Sequence, residues 1–144
     1  MPKWAKVLLA IGCGGAVILV VIVVAGVRFL DRHKDQWIAE ARKTKEDGVA
    51  FGQGKSANDC IDEALRRLPE ANGILAETRV RVFLTGCLDV AAIPPQMCDR
   101  VPPRSEIIKS VTWSLHECSQ RGMAQSQPCA RVLQELQARC EKPH

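Results

Sequence analysis

The sequence predicts an all-α protein, with one N-terminal transmembrane helix followed by a small disulfide-stabilised four-helix domain built as two helical hairpins. Three observations carry this reading. A long apolar run fills residues 7–30, and apolar residues beyond Ser56 recur at helical spacing in four separate segments. Six of the seven cysteines fall in or beside those segments. No alternating strand pattern of useful length occurs.

A chain of 144 residues has room for one modest domain and an anchor. Residues 1–6, with Lys3 and Lys6, read as a short cytoplasmic tail. The run Val7 to Leu30 carries a single charge, Arg28, near its end. At about 1.5 Å per residue it is long enough for a hydrocarbon core of about 30 Å. Trp4 and Phe29 fall near the two interfaces, where aromatic rings anchor. Val23-Val24-Ala25 resembles a signal-peptidase site, but the run exceeds the roughly 7–15 residues of a secretory h-region and no breaker precedes the site. Residues 7–30 therefore read as a retained signal anchor. Acylation at Cys13 would need a longer apolar stretch before it, so Cys13 reads as an inert small apolar residue. Ala10, Gly12, Gly14 and Gly15 supply small side chains through which a weak homodimer would pack.

Two arguments about orientation oppose each other. Lys/Arg counting keeps the heavier side in the cytoplasm, and Arg28, Arg32, Lys34, Arg42, Lys43 and Lys45 outweigh Lys3 and Lys6. Six cysteines in a small domain, without metal-ligand spacing, instead call for an oxidising compartment. The basic residues after the span are also interleaved with Asp31, Asp35, Glu40, Glu46 and Asp47. The cysteine argument is the stronger, and it predicts a periplasmic C-terminal domain on a single-pass protein of the bacterial inner membrane. The missing Asn-x-Ser/Thr sequon points the same way.

Residues 31–55 read as a charged juxtamembrane helix and a Gly-rich hinge, the helix stopping where Gly48, Gly52 and Gly54 crowd together. The stretch ending Gly54-Lys55-Ser56 resembles a phosphate loop, but Val49 stands where that motif needs glycine and no strand precedes it.

Residues 56–144 form the domain. The first segment aligns Ala57, Cys60, Ile61, Ala64, Leu65 and Leu68, opens on a Ser56/Asp59 capping box and closes at Pro69. The second aligns Ala76, Val80, Phe83, Leu84, Cys87, Leu88 and Ala91, and ends at Pro94-Pro95. The third follows Pro102-Pro103 with Ile107, Ile108, Val111, Leu115 and Cys118 expected on its inner face. The fourth starts near Ser126, tolerates Pro128 in its first turn, and aligns Cys129, Val132, Leu133, Leu136 and Cys140. Domains this small and poor in aromatics often need staples. Antiparallel hairpins suggest Cys60–Cys87, Cys98–Cys140 and Cys118–Cys129.

Several functions are disfavoured. From Ser56 onward basic and acidic residues are equal in number, so the net charge of +4 belongs to the flanks and linker and no nucleic-acid stripe is expected. The cysteines lack the short pair spacing of zinc sites and any Cys-x-x-Cys, so no metal and no cofactor is expected. His116 is the one domain histidine away from the terminus and has no evident catalytic partner, so the protein is expected not to be an enzyme. Protein–protein interaction with another envelope protein remains, as assembly factor, inhibitor or complex subunit. Trp113, His116 and Lys109 share the face that would serve it. The alternative is a small-ligand or sensor domain with a pocket between the hairpins.

Overall fold

A computed structural model describes the backbone of residues 3–70 and 73–142, and the side chains of 17–69 and 73–142. The described residues form helices without a strand: α1 (Lys3–Gly52), α2 (Ala57–Arg67), α3 (Ile74–Val90), α4 (Pro95–Cys98), α5 (Ile107–Gln120) and α6 (Gln127–Cys140). A single 3-10 turn, Leu68–Glu70, follows α2. The chain divides into two compact units, Met1–Glu40 and Ala41–His144.

In the first unit the apolar side chains from Val17 to Leu30 are exposed. Among the described residues no helix is long and apolar enough to cross a membrane. The fold is therefore all-α, and the described residues do not support the N-terminal transmembrane helix as a feature of it. Residues 7–16 of the expected span, including Ala10, Gly12, Cys13, Gly14 and Gly15, lie outside the described side chains. Phe29, His33 and Trp37 stack at i, i+4 spacing, with centroids 4.5 Å and 6.1 Å apart.

The second unit is built on helices whose starts are chemically fixed. At α2 the Ser56 amide donates to Asp59 Oδ2 (2.9 Å) and the Asp59 amide donates to Ser56 Oγ (3.3 Å), completing the capping box. At α6 the Cys129 amide donates to Ser126 Oγ, and Pro128 sits in the first turn, where its missing N–H costs nothing. Ala57, Cys60, Ile61, Ala64 and Leu65 of α2 meet Val80, Phe83, Leu84, Cys87 and Leu88 of α3, and Val132, Leu133 and Leu136 of α6 complete the core. A short parallel bridge closes the first hairpin: the Ala57 amide donates to Ala92 O, and the Ala92 amide to Lys55 O.

Disulfides join Cys60 to Cys87, Cys98 to Cys140 and Cys118 to Cys129, with Cα separations of 5.8, 5.3 and 6.1 Å. These are the pairs that antiparallel hairpins suggest. By chain entropy each is worth about 3–4 kcal/mol, a large share of the stability of a domain this size.

Two local features depart from the sequence reading. The proline-rich crossing contains a short helix, α4, started by Pro95 at a position where proline is pre-set for helix. The helix also does not stop at Gly48. It runs on to Gly52, and only Gly54 takes a left-handed φ of 69°. Gly48 and Gly52 are buried against α3, where a methyl at Gly48 would meet the Phe83 carbonyl and one at Gly52 the Cys87 backbone. Gly86 of α3 lies as close to the Lys45 backbone. Small residues on both helices thus let two backbones touch, and Phe51 packs on Phe83 at 5.8 Å beside them. Lys45 adds a 2.9 Å ion pair to Asp89.

Two outcomes follow. Gly48→Ala and Gly86→Ala each force backbones apart and are expected to destabilise by about 1–3 kcal/mol, the usual cost of overpacking. Gly26→Ala, with nothing near the new methyl, should be neutral. Thermal unfolding of the full chain in detergent checks both, at about 4–8 °C per kcal/mol. The second outcome concerns acid. The guanidinium of Arg66, with that of Arg67, holds the Glu63 carboxyl down from 4.5 to about 2 against the opposing effect of burial. Arg131 lowers Glu77, and the Arg104 amide lowers Glu141. A depressed folded-state value stabilises above the unfolded one, so this contribution is complete above about pH 4.5 and disappears as pH falls towards about 2. Urea titrations across that window should show the decline, and Glu63→Gln should flatten it.

Candidate functional site

The site is set by how α5 is rolled about its own axis. Cys118, near the end of α5, is buried and bonded to Cys129. One and two turns earlier the residues on that side are Ser114, which is buried, and Ser110. Their small side chains let α5 lie close to α6, and Gln137 of α6 fills the seam with no exposure at all. Its Nε2 donates to the Pro102 carbonyl (2.9 Å) and to Ser110 Oγ (2.8 Å). A buried amide must be satisfied, and Ser110 of α5 is one of its partners, so this contact fixes the roll.

The consequence reverses one expectation. Ile107, Ile108 and Val111 do not face the core; they are 72, 83 and 51% exposed. Leu115 is half-buried. The apolar spacing of this helix is real, but its polar-small edge wins the interior because the seam there offers the Gln137 carboxamide to Ser110 and the Cys129 sulfur to Cys118. The apolar edge is left outward.

Beside that edge lies a cleft of about 480 Å³ between the hairpins. Ile61, Leu133 and Leu136 form its floor, and Met97 and Val101 of the crossing form a side. A shallower groove of about 420 Å³ runs along α5 past Pro102, Ile108, Lys109 and Thr112. Arg100, Trp113 and His116 line both, so the two form one trough across the face.

The residues singled out from sequence thus come together. Trp113 is half-buried against the core and walls the trough, and Ile61 of α2 lines the same cleft. His116 is exposed, its Nε2 2.8 Å from Gln120 Nε2. Lys109 is exposed and pairs with Glu106 one turn earlier at 2.5 Å. Glu117, the one carboxylate lining the trough, is held by Arg121 at 2.6 Å, and Arg121 also reaches Asp62 of α2. Its partners outweigh its partial burial and raise the Arg121 pKa further, so this cation is permanent. Among the described residues no group of three His, Cys, Asp or Glu could hold a metal ion.

Arg100 and Gln137 were missed by the sequence reading. Gln137 lies four residues after Leu133 and one after Leu136, inside the apolar stripe, and that position was the available signal. Arg100 gave none, since only the path of the crossing brings it beside Trp113.

If Gln137 sets the roll of α5, Gln137→Leu leaves the Pro102 carbonyl unpaired and costs about 1–3 kcal/mol. The same change should shift the emission of Trp113 in a chain whose other tryptophans are replaced by Phe, because the wall loosens. Thermal unfolding and fluorescence together check it.

Comparison with protein-family models, with characterised proteins and with solved structures finds no match for this chain.

Proposed function

We propose that this is a membrane-anchored, non-catalytic docking protein, whose disulfide-bonded domain binds another envelope protein through the exposed edge of α5 and the adjoining trough. The observation that carries the reading is the outward apolar row Ile107, Ile108 and Val111 beside Trp113. Contiguous exposed apolar surface next to a half-buried tryptophan is the usual composition of an interface centre. The ionisable groups there are solvated or paired with each other, which favours binding over chemistry.

The anchor is residues 7–30, and its support is compositional: an apolar run carrying one charge, followed by the Phe29 and Trp37 rings that suit a headgroup layer. The compartment reading rests on the three disulfides, which persist in a periplasm and not in a reducing cytoplasm. On this reading the protein is single-pass in a bacterial inner membrane, with its N-terminus cytoplasmic. A second reading, a small-ligand or sensor domain, has the 480 Å³ cleft in its favour, a volume within the range of ligand pockets.

Photo-crosslinking in intact cells separates the two. A photoreactive residue at Ile108 or Val111 is expected to give an adduct with a different protein, and one at Thr78 on α3 is not. Cells showing only the uncrosslinked chain would remove the docking reading. In the same cells a membrane-impermeant thiol reagent, with mass-spectrometric mapping, should find the six domain cysteines oxidised. Six free thiols would place the domain on the cytoplasmic side.

A further inference from the structure

The trough has a sign. Its charged lining is Arg100, Lys109 and Arg121, against one carboxylate, Glu117. That carboxylate is neutralised by Arg121, and Lys109 is answered by Glu106. Arg100 is different. It is exposed at the junction of cleft and groove, and among the described residues its guanidinium has no ion pair. Asp99, its neighbour in sequence, does not line either opening. An unpaired guanidinium at the shared wall, next to an indole and above an apolar floor, is complementary to a carboxylate adjoining a large apolar side chain.

The shape selects among ligands of that chemistry. A small molecule would fill the cleft alone, whereas this site continues from the cleft into a groove past Ile108 and Thr112. An extended polypeptide segment fills both at once, with one apolar side chain in the cleft and the next residues along α5. A bilayer surface would meet Ile107 and Ile108 but could not enter the cleft to reach Ile61 or Leu133.

Resting on the docking function proposed above, we infer that the partner presents a linear acidic–apolar segment, with Asp or Glu beside Leu, Ile or Phe, and that Arg100 is the residue selecting for the acid. The apolar side chain enters between Trp113 and the Ile61–Leu133–Leu136 floor. The carboxylate accepts from the Arg100 guanidinium. Lys109 adds positive potential along the groove, which speeds encounter more than it holds the complex.

The test uses the full chain in detergent and a displayed library of random twelve-residue peptides as probe, with Arg100→Glu and Ile108→Glu as variants. Both positions are solvent-exposed, and unchanged disulfides and unfolding temperature verify that the fold is kept. The expected result is an enriched set pairing Asp or Glu with a large apolar residue. Its affinity should fall at least about tenfold in Arg100→Glu, the factor that about 1.4 kcal/mol represents, and peptides selected on Arg100→Glu should carry Lys or Arg instead. Enrichment without acidic residues, equal binding to Arg100→Glu, or no enrichment at all overturns the inference. So does binding only to vesicles of three parts phosphatidylcholine to one of phosphatidylglycerol. The in-cell crosslink at Val111 keeps the outcomes apart. An adduct that survives Arg100→Glu unchanged leaves the docking function standing and this assignment lost, whereas no adduct removes both.

Discussion

A helix tied covalently near one end and by a buried amide near the other cannot roll, and α5 is held in this way. The Cys118–Cys129 bond anchors its C-terminal end. Gln137, reaching both Ser110 and the Pro102 carbonyl, anchors its N-terminal end. Had α5 turned its aliphatic edge inward, the seam would have held more apolar surface but stranded the Gln137 carboxamide oxygen that accepts from Ser110 Oγ, at about 1–3 kcal/mol for an unpaired buried group. Polar satisfaction therefore ranks above aliphatic burial here. The exposed row and the trough both descend from that ranking, since rolling the helix the other way would place Ile108 and Val111 indoors and carry Trp113 away from Arg100.

The rest of the second unit is economical in a different way. Its core is Phe83 with alanine, valine, leucine and isoleucine side chains, and cystines take places where a larger domain would use aromatics. Cys60, Cys87, Cys118 and Cys129 are fully buried, so each bridge acts as apolar filling as well as restricting the unfolded chain. At the α1–α3 contact the opposite strategy operates. There glycines remove side chains altogether, and the attraction comes from close backbone approach with Phe51 and Arg67 on either side of the Phe83 region.

Much of this was legible in the chain. The α2, α3 and α6 stripes read at 3.6-residue periodicity are the buried ones, because on those helices the apolar face and the inward face coincide. Ser56, Asp59, Ser126 and Pro128 announce helix starts through local chemistry that needs no tertiary context. The cystine pairs follow from chain reversal and symmetric spacing about the turns. What stayed hidden depends on distant partners. The roll of α5 is decided by a glutamine on another helix, and the glycines at 48 and 52 look like breakers until the facing Gly86 is known. Trp113, His116 and Lys109 were legible as a shared face, whereas Arg100 joins them only through the path of the crossing.

The covalent map has a further meaning. Cys118–Cys129 nests inside Cys98–Cys140, and Cys60–Cys87 stands apart, so no bridge links the first hairpin to the second. The two are held to each other by the core and by ion pairs that cross the divide, among them Glu77–Arg131, Arg81–Glu135 and Asp62–Arg121. A single backbone cut between Val90 and Met97 therefore yields two closed fragments with no covalent connection. A cut in the turn around Gly122 releases nothing. Between Cys60 and Cys140 the chain is covalently divisible only in the segment between Cys87 and Cys98, which makes that crossing the natural point at which to split the domain into two separately expressed halves whose reassembly reports on the seam between them.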